Sequence, residues 1–266
     1  MAEFDAVIFS DLHLHDDKPR LNELFAAFVD RVEGTPEVAC LGDLLEYCIG
    51  RKHIRSEHGR FVFEHMQRLA KPAKRAIWVN GNRDHMFQGI ARKAGYTACR
   101  NRYRGEFGGQ ICDLEHGDLF CSRDKQYQRF RLWFRNFPWG LLGCFFSEQK
   151  AHAMCRYMRS KSIGETARRD PEHYGIQAEA IQREIQRGAR VIVCGHVHTP
   201  FSRAYVSGED TGRLFVTSDW RKNGAVVCVA KDGEFKLMWF DGDKFSDFEA
   251  PDKQGTYLLE AATAAD

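Results

Sequence analysis

Seven side chains with oxygen or nitrogen donors stand in short motifs along this chain, and each motif directly follows an apolar run. Carboxylate, amide and imidazole groups are the ligands that hold hard divalent ions such as Mn²⁺. The seven candidate ligands are Asp11, His13, Asp43, Asn82, His116, His196 and His198. Together with water, seven such ligands can serve two ions about 3.5 to 4 Å apart. The motifs therefore predict a two-metal site.

Each motif alone is a weak signal, because Asp-x-His, Gly-Asp and Gly-Asn are common in turns and His-x-His is more often a surface pair. Their joint occurrence, each after its own strand-like run, is what indicates a metal site. Asp11 and His13 are two residues apart, as are His196 and His198. Residues two apart in an ideal strand point the same way. We therefore expect each pair to hold one ion.

Strand-like runs at about 5–10, 37–41 and 76–80 alternate with helical patterns in the N-terminal half. An apolar stripe from Leu21 to Val32 predicts one helix, and a second is predicted at about 57–70. This alternation predicts an α/β layered fold whose first sheet is largely parallel. Motifs that follow parallel strands collect at the carboxyl edge of the sheet, where such folds bind ligands.

The pattern changes at about 125–170, where basic residues interleave with aromatic ones. Between Arg123 and Arg169 stand eleven basic and three acidic residues, although the whole chain carries a formal net charge of only +2. We expect this segment to be a helical cap inserted into a domain that spans 1–250. Residues 251–266 are expected to form a flexible tail.

Beyond the cap, a helix is predicted from Pro171 to Arg187, ending at Gly188. Later strands, antiparallel to one another, are expected at 214–217, 225–229 and 235–239. Lys231-Asp232-Gly233 is a hairpin turn signal between the last two.

The nine cysteines are an odd number and include no C-x-x-C pair, so they favour buried free thiols and a reducing compartment. The N-terminus has no signal-peptide pattern, and no segment approaches about 20 apolar residues. We therefore expect a cytoplasmic protein.

The motifs resemble those of the calcineurin-like metallophosphoesterase superfamily, whose pattern is D-x-H, G-D-x-x-D/E, G-N-x-D/E, a later His and G-H-x-H. They stand here as Asp11 to His13, Gly42 to Glu46, Gly81 to Asp84, His116 and Gly195 to His198. The resemblance runs from about 5 to 240. It implies a four-layered αββα sandwich with a dinuclear metal site, for which we expect Mn²⁺, at the sheet edge.

A narrower resemblance joins these motifs to the UDP-2,3-diacylglucosamine pyrophosphatase family of lipid A biosynthesis. It rests on the residues within and around each motif, on Cys121-Ser122-Arg123-Asp124 followed by Tyr127 to Arg131, and on the cap from Trp133 to Ser162. The resemblance implies a hydrolase that splits the pyrophosphate of a UDP-linked diacylated sugar into UMP and a diacylglucosamine 1-phosphate.

The same resemblance implies roles for individual residues. Asn82 and His196 would hold an ion beside the transferring phosphoryl group, and Arg83 would clamp the phosphate. The expected substrate contacts in the cap and at its base are Asp124, Ser162, Thr166 and Arg169.

This chain departs from the family pattern at several of these positions. Thr166 stands where the family usually has Asn, and Arg169 stands where it has Lys. Arg keeps the charge but presents a fork of donors rather than a point. After Glu46 the family continues with Trp and an acidic pair, whereas this chain has Tyr47-Cys48-Ile49-Gly50 followed by basic residues 51–53.

The composition of the predicted cap indicates which substrates and surfaces the chain could bind. An aromatic-rich cap beside a polar site suits a lipid-linked UDP-sugar, and its positive charge suits both a pyrophosphate and an anionic surface. We therefore expect a peripheral contact with the cytoplasmic face of the inner membrane. No nucleic-acid motif accompanies the basic stretch, so no nucleic-acid partner is expected.

Two other functions fit the same fold. One is a metallophosphoesterase that acts on nucleotides or on another lipid pyrophosphate and has little use for an aromatic trough. The other is a non-catalytic scaffold, which would be free to lose ligands, whereas this chain retains all seven.

Overall fold

The computed structural model describes residues 3–136 and 175–249, together with residues 150, 153 and 157. Within these ranges the chain forms two β-sheets with helices on their outer faces. The strands are β1 (Ala6–Phe9), β2 (Glu37–Cys40), β3 (Arg75–Val79), β4 (Thr97–Cys99), β5 (Arg102–Phe107), β6 (Gln110–Glu115), β7 (Val191–Cys194), β8 (Phe201–Ser207), β9 (Asp210–Val216), β10 (Ala225–Lys231), β11 (Glu234–Phe240) and β12 (Phe245–Asp247). The α-helices are α1 (Pro19–Val32), α2 (Glu57–Ala70), α3 (Gln88–Ala94), α4 (Lys125–Asn136) and α5 (Ala178–Gln186), and two 3₁₀ helices span Gly50–Arg55 and His85–Phe87.

The first sheet has the strand order β12-β11-β10-β1-β2-β3-β4. Strands β1 to β4 are parallel, whereas β10 to β12 join the sheet antiparallel. The antiparallel half begins with a hairpin whose turn residues, Asp232 and Gly233, have φ angles of 51° and 79°. Two consecutive positive φ angles are what a type I′ hairpin turn requires. The predicted parallel strands are therefore β1 to β4, and the antiparallel strands predicted at 225–229 and 235–239 form the other half of the same sheet.

The second sheet has the order β5-β6-β7-β9-β8, in which β6, β7 and β9 are parallel neighbours. The carboxyl ends of β6 and β7 consequently lie side by side. Those ends carry His116, His196 and His198, so the topology delivers three predicted ligands to one edge.

Three apolar layers hold the molecule together. Successive side chains of a strand point to opposite faces, so Phe9 packs with the helices on the first sheet while Ile8 packs between the sheets. The third layer lies between the second sheet and α5, where Ile181 and Ile185 cover Ile192. Helix, sheet, sheet and helix thus form four layers. The predicted αββα sandwich is confirmed.

Helix boundaries in the N-terminal half match local sequence signals. Helix α1 has a proline at its first position and buries the predicted apolar stripe from Leu21 to Val32. Helix α2 covers the predicted 57–70 and is capped by Ser56, whose side chain accepts the N–H of Gly59 at 3.0 Å.

The predicted helix at 171–187 was wrong at its start. Helix α5 begins at Ala178, because Gln177 is extended (φ −89°, ψ 129°) and donates its N–H to the carbonyl of Phe120 at 3.0 Å. Residues 171–174 lie outside the described ranges. Gly188 has φ 95°, in keeping with the predicted left-handed stop after the helix.

Of the predicted cap, α4 is described and is helical, whereas most of 137–174 lies outside the described residues, as does the tail at 251–266. The seven cysteines of the described ranges are free thiols, and all but Cys99 are buried. Cys144 and Cys155 fall outside those ranges. Among the described helices we find none long and apolar enough to cross a membrane.

Candidate metal centre

Strained backbone marks the candidate centre. Six non-glycine residues of the described chain have positive φ angles, and five of them are predicted ligands. These are Asp11 (56°), His13 (51°), Asp43 (52°), His196 (70°) and His198 (60°). Such conformations are uncommon for residues with a Cβ and cost of order 1 to 3 kcal/mol each. The Asp-x-His and His-x-His pairs are therefore not strand continuations, which corrects the expectation from ideal strand geometry.

Backbone hydrogen bonds join the ligand loops. Asp11 N–H donates to the Gly42 carbonyl at 3.1 Å, and His13 N–H donates to the Asp43 carbonyl at 3.0 Å. In the second sheet, Gly195 N–H donates to the His116 carbonyl at 2.9 Å. Backbone hydrogen bonds therefore join the loop after β1 to the loop after β2, and the loop after β6 to the loop after β7.

The glycines of the motifs allow these loops to approach closely. A Cβ on Gly81 would collide with the Asp43 carboxylate, and a Cβ on Gly195 would collide with the Asp11 carboxylate and the Ser10 hydroxyl. The Gly-Asn and Gly-His dipeptides thus leave room for carboxylates that belong to other loops.

Five of the predicted ligands form two groups, and within each group the candidate donor atoms lie within 4.8 Å of one another. One contains Asp11, His13 and His198, the other contains Asp11, Asp43 and His116, and Asp11 is common to both. The Nε2 atoms of His13 and His198 are 3.3 Å apart, and Nε2 of His198 is 3.4 Å from Oδ1 of Asp11. Nε2 of His116 lies 3.7 Å from Oδ1 of Asp43.

The remaining two predicted ligands join the second group. Nδ1 of His196 lies 3.2 Å from Nε2 of His116, and the side-chain amide nitrogen of Asn82 lies 3.2 Å from Nδ1 of His196. The two ends of an amide are interchangeable by a flip, so the Asn82 oxygen can occupy the same place. The structure therefore brings all seven predicted ligands to one edge.

Other groups orient the ligands and leave specific atoms open. Oδ2 of Asp11 accepts hydrogen bonds from the Ser10 hydroxyl and from the N–H of His196. Its buried Oδ1 accepts no hydrogen bond of good geometry from the described residues and has Nε2 of His198 at 3.4 Å. Nδ1 of His116 is 2.9 Å from the Leu41 carbonyl, which fixes the proton there and leaves a lone pair on Nε2. The open atoms face the cluster.

The electrostatics of the cluster suit cations. Burial lowers the pKa of His13 to about 3 and that of His196 to about 4, so both imidazoles are neutral at pH 7. Burial raises the pKa of the Asp11 and Asp43 carboxyls, but the surrounding histidines, with Arg83 beside Asp43, bring both below the ordinary value. Burial also lowers the pKa of His116 and of His198, but the nearby carboxylates, chiefly Asp43 for His116 and Asp11 for His198, raise both above the ordinary value. Ionised carboxylates that attract positive charge onto neighbouring imidazoles fit a site for two divalent ions.

Arg83 lies at the rim of this cluster. Its side chain is 16 % exposed and contacts two carboxylates, with Nε 3.3 Å from Oδ2 of Asp43 and Nη1 3.0 Å from Oε1 of Glu46. Glu46 also accepts from Nζ of Lys18 at 2.9 Å. The guanidinium is therefore held beside the ligands, and the side chain stays partly exposed.

The expected substrate contacts are only partly described. Asp124 is buried at the start of α4, where Oδ1 accepts the N–H of Tyr127 at 2.9 Å. This hydrogen bond caps α4 and does not test whether Asp124 contacts a substrate. That contact stays a prediction. Ser162, Thr166 and Arg169 lie outside the described residues.

Two buried carboxylates that support the site were not predicted as functional. Asp84 closes the Gly-Asn-Arg-Asp motif and hydrogen-bonds to the loops after β2 and β3. Asp118 is the last residue of the His-Gly-Asp motif and forms ion pairs with two arginines of α4. The sequence signal for both residues was their position at the end of a ligand motif. A carboxylate that is buried there needs polar partners and can therefore hold neighbouring loops together.

Comparison with known proteins gives relatives along most of the chain. The UDP-2,3-diacylglucosamine hydrolase of Pseudomonas fluorescens strain Pf0-1 is 29% identical over 245 residues, covering 88% of this chain and 95% of that protein. The hydrolase of the same name from Shewanella piezotolerans is 27% identical over 226 residues, covering 84% and 92%. No family model matches the chain.

Solved structures with a similar backbone include a dimetal phosphatase from Danio rerio. It is 13% identical, has a TM-score of 0.46, and the match covers 91% of this chain and 97% of that one. The sequence of this chain is therefore similar to the UDP-2,3-diacylglucosamine hydrolases over nearly their whole length, and its motifs and two-sheet architecture resemble those of the calcineurin-like metallophosphoesterases.

Proposed function

We propose that this chain is a metal-dependent hydrolase that cleaves the pyrophosphate of UDP-2,3-diacylglucosamine to give UMP and 2,3-diacylglucosamine 1-phosphate. The observation that carries the proposal is the convergence of seven donor side chains from two sheets at one edge, where Asp11 belongs to both groups of candidate ligands. The relatives that match most of the chain bear the name of this hydrolase.

The donor set is made of carboxylate, amide and imidazole groups, which suits Mn²⁺ and comparable divalent ions. Asp11, His13 and His198 would hold one ion, and the ligands of the second would be Asp43, Asn82, His116 and His196, with Asp11 in reach of both. Two bound ions would lower the pKa of a water molecule and neutralise charge on the phosphoryl oxygens.

Arg83 supplies the main protein contact to the phosphate in this proposal. Its backbone N–H donates to Oδ1 of Asp43 at 3.0 Å, and its guanidinium is aligned by Asp43 and Glu46. A guanidinium so oriented can donate to a non-bridging phosphoryl oxygen without being reorganised first. Such donors act most strongly as charge develops in the transition state.

Helix α4, which approaches the site through Tyr127, also carries exposed apolar side chains. Phe130, Leu132 and Trp133 are 46 %, 59 % and 56 % exposed, and the ring of Tyr127 on the same helix is 6.2 Å from that of His196. A diacylated substrate needs such a surface beside the polar centre. We assign the acyl chains to the cap that α4 begins, with Asp124, Ser162, Thr166 and Arg169 as head-group contacts.

The proposal extends to organisation and location. Residues 1–250 would form one catalytic domain with the cap at 125–170 inserted, followed by the tail at 251–266. The basic surplus of the cap region would favour a peripheral contact with an anionic membrane surface, where a basic residue contributes about 1 kcal/mol. Vesicles with and without anionic lipid would test that contact by sedimentation.

The test of the reaction is release of UMP from UDP-2,3-diacylglucosamine with Mn²⁺, compared with UDP-N-acetylglucosamine and with Asp43→Ala as the blank. UMP from the diacylated substrate alone supports the proposal. Absence of UMP, with metal-dependent cleavage of bis-p-nitrophenyl phosphate, would overturn the lipid assignment and favour the alternative of a nucleotide or another lipid pyrophosphate.

A further inference from the structure

Arg135, in the last turn of α4, reaches the loop that leads from β3 to Asn82. Its side chain is 6 % exposed. Nη2 lies 3.3 Å from the Asn80 carbonyl and 3.2 Å from the Gly81 carbonyl, and it donates to both. These are the two peptide groups that immediately precede Asn82.

The same Nη2 atom lies 3.1 Å from Oδ2 of Asp118, two residues after His116. That oxygen also accepts from the Tyr127 hydroxyl at 2.8 Å and from Nε of Arg131 at 2.7 Å. Tyr127, Arg131 and Arg135 are spaced four residues apart, so they share one face of α4. One buried carboxylate therefore docks this face of the helix onto the loop after β6.

The orientation of the Arg135 guanidinium is fixed from its other side as well. Nη1 donates to the Arg100 carbonyl at 3.0 Å and to Oδ1 of Asn101 at 3.1 Å. Asn101 Oδ1 also accepts Nη2 of Arg131 at 2.9 Å. The two NH₂ groups of the guanidinium thus lie within hydrogen-bond distance of five acceptors in three segments, and because Nη2 has two hydrogens for three acceptors, one of its N–H bonds is shared. The guanidinium cannot shift without breaking several of these contacts.

The contacts to Asp118 and Asn101 join α4 to the loop after β6 and to the segment before β5. The two bonds to the carbonyls of Asn80 and Gly81 instead restrain the backbone next to a candidate ligand. That backbone has little freedom on its other side, because Gly81 packs directly against Asp43. A displacement of about 1 Å at a reacting group can cost 10²-fold in rate.

We propose that Arg135 is a positioning residue that holds the 80–82 backbone against Asp118, so that the amide of Asn82 stays beside His196. The inference rests on the two-metal assignment and not on the identity of the lipid substrate. It links the first helix of the cap to a ligand of the metal centre.

The experiment compares Arg135→Gln and Arg135→Lys with Arg129→Gln, an exposed arginine of the same helix, as the matched control. Mn²⁺ stoichiometry and affinity are measured by calorimetry, and electron paramagnetic resonance reports the coupling between the two ions. Groups that orient metal ligands contribute 10 to 100-fold in metal affinity. We expect Arg135→Gln to bind one ion at least about 10-fold more weakly, Arg135→Lys to be intermediate, and Arg129→Gln to match the wild type.

A double-mutant cycle with Asn82→Ala separates positioning from general support. If Arg135 acts through Asn82, adding Arg135→Gln to Asn82→Ala will weaken metal binding no further. Full additivity, or two ions bound by Arg135→Gln with wild-type affinity and coupling, would overturn the inference. If circular dichroism shows Arg135→Gln unfolded, Arg135→Lys decides: weakened binding supports the inference and unchanged binding overturns it.

Discussion

Asp84 accepts the backbone N–H of Leu44 at 2.7 Å and thereby ties the loop that carries Asn82 to the loop that carries Asp43. Its other oxygen accepts the N–H of Gly81 at 3.2 Å. Burial, followed by the charge of Asp43, raises the pKa of Asp84 to about 7. Two ligand loops of the first sheet are therefore joined through one buried carboxyl group.

Replacing Asp84 tests that connection. Asp84→Ala leaves two buried N–H groups without an acceptor, and each such group costs about 1 to 3 kcal/mol. We expect the free energy of unfolding to fall by about 3 kcal/mol in urea titrations of the metal-free protein, with a smaller loss for Asp84→Asn. Asp30→Ala, which removes an exposed ion pair with Arg68, is the control. Equal stability of the Asp84→Ala and Asp30→Ala variants would show that the connection is unimportant.

Gly195 should not tolerate a methyl group. Gly195→Ala places a Cβ against the Asp11 carboxylate and the Ser10 hydroxyl, so we expect Mn²⁺ affinity to fall at least about 10-fold. Gly89→Ala is the matched control, because a Cβ there meets nothing within 4 Å and the residue lies in α3. That control should bind metal normally and gain about 0.5 to 1 kcal/mol of stability. Normal metal binding by Gly195→Ala would contradict the packing argument.

Arg83 should matter to turnover more than to binding. Arg83→Ala removes a donor that strengthens in the transition state, so kcat should fall about 10² to 10³-fold with a smaller change in KM. Arg68→Ala, on the outer surface of α2, serves as the comparison and should leave both constants unchanged. Steady-state rates on bis-p-nitrophenyl phosphate are sufficient, and an unchanged kcat would remove Arg83 from this role.

The lowered pKa of buried His85 should make the folded protein less stable in acid. Burial, with the charges of Arg135 and Arg100, lowers its pKa from 6.5 to about 4 in the folded protein. Between these values the unfolded chain binds a proton that the folded chain does not, so stability falls as pH drops from about 6.5 to about 4. Compared with His85→Gln, the wild type should lose up to about 3 kcal/mol across this window. If the free energy of unfolding changed with pH in the same way for the wild type and for His85→Gln, the lowered pKa of His85 would be contradicted.

Much of the fold follows from local patterns. The apolar spacing from Leu21 to Val32 is the buried face of α1, and Ser56 is the cap of α2. The family resemblance stated from the motifs is confirmed by the curated relatives. These signals are readable because each depends on residues a few positions apart.

Other features depend on contacts between distant segments and could not be read in the same way. The left-handed backbone of Asp11 and His196 arises where loops from two sheets meet, which no spacing rule reports. The late start of α5 depends on a hydrogen bond between Gln177 and Phe120. Likewise, nothing local to Arg135 indicates that it reaches the carbonyl of Gly81, 54 residues earlier.

The most direct test of the account is a titration of metal-free protein with Mn²⁺ that follows bound metal and UMP release from UDP-2,3-diacylglucosamine together. We predict two bound ions per chain and UMP formation that requires them, while Asp43→Ala binds metal less tightly and releases no UMP. Full-rate UMP release by the metal-free protein in chelator, or no UMP with both ions bound, would contradict the central claim.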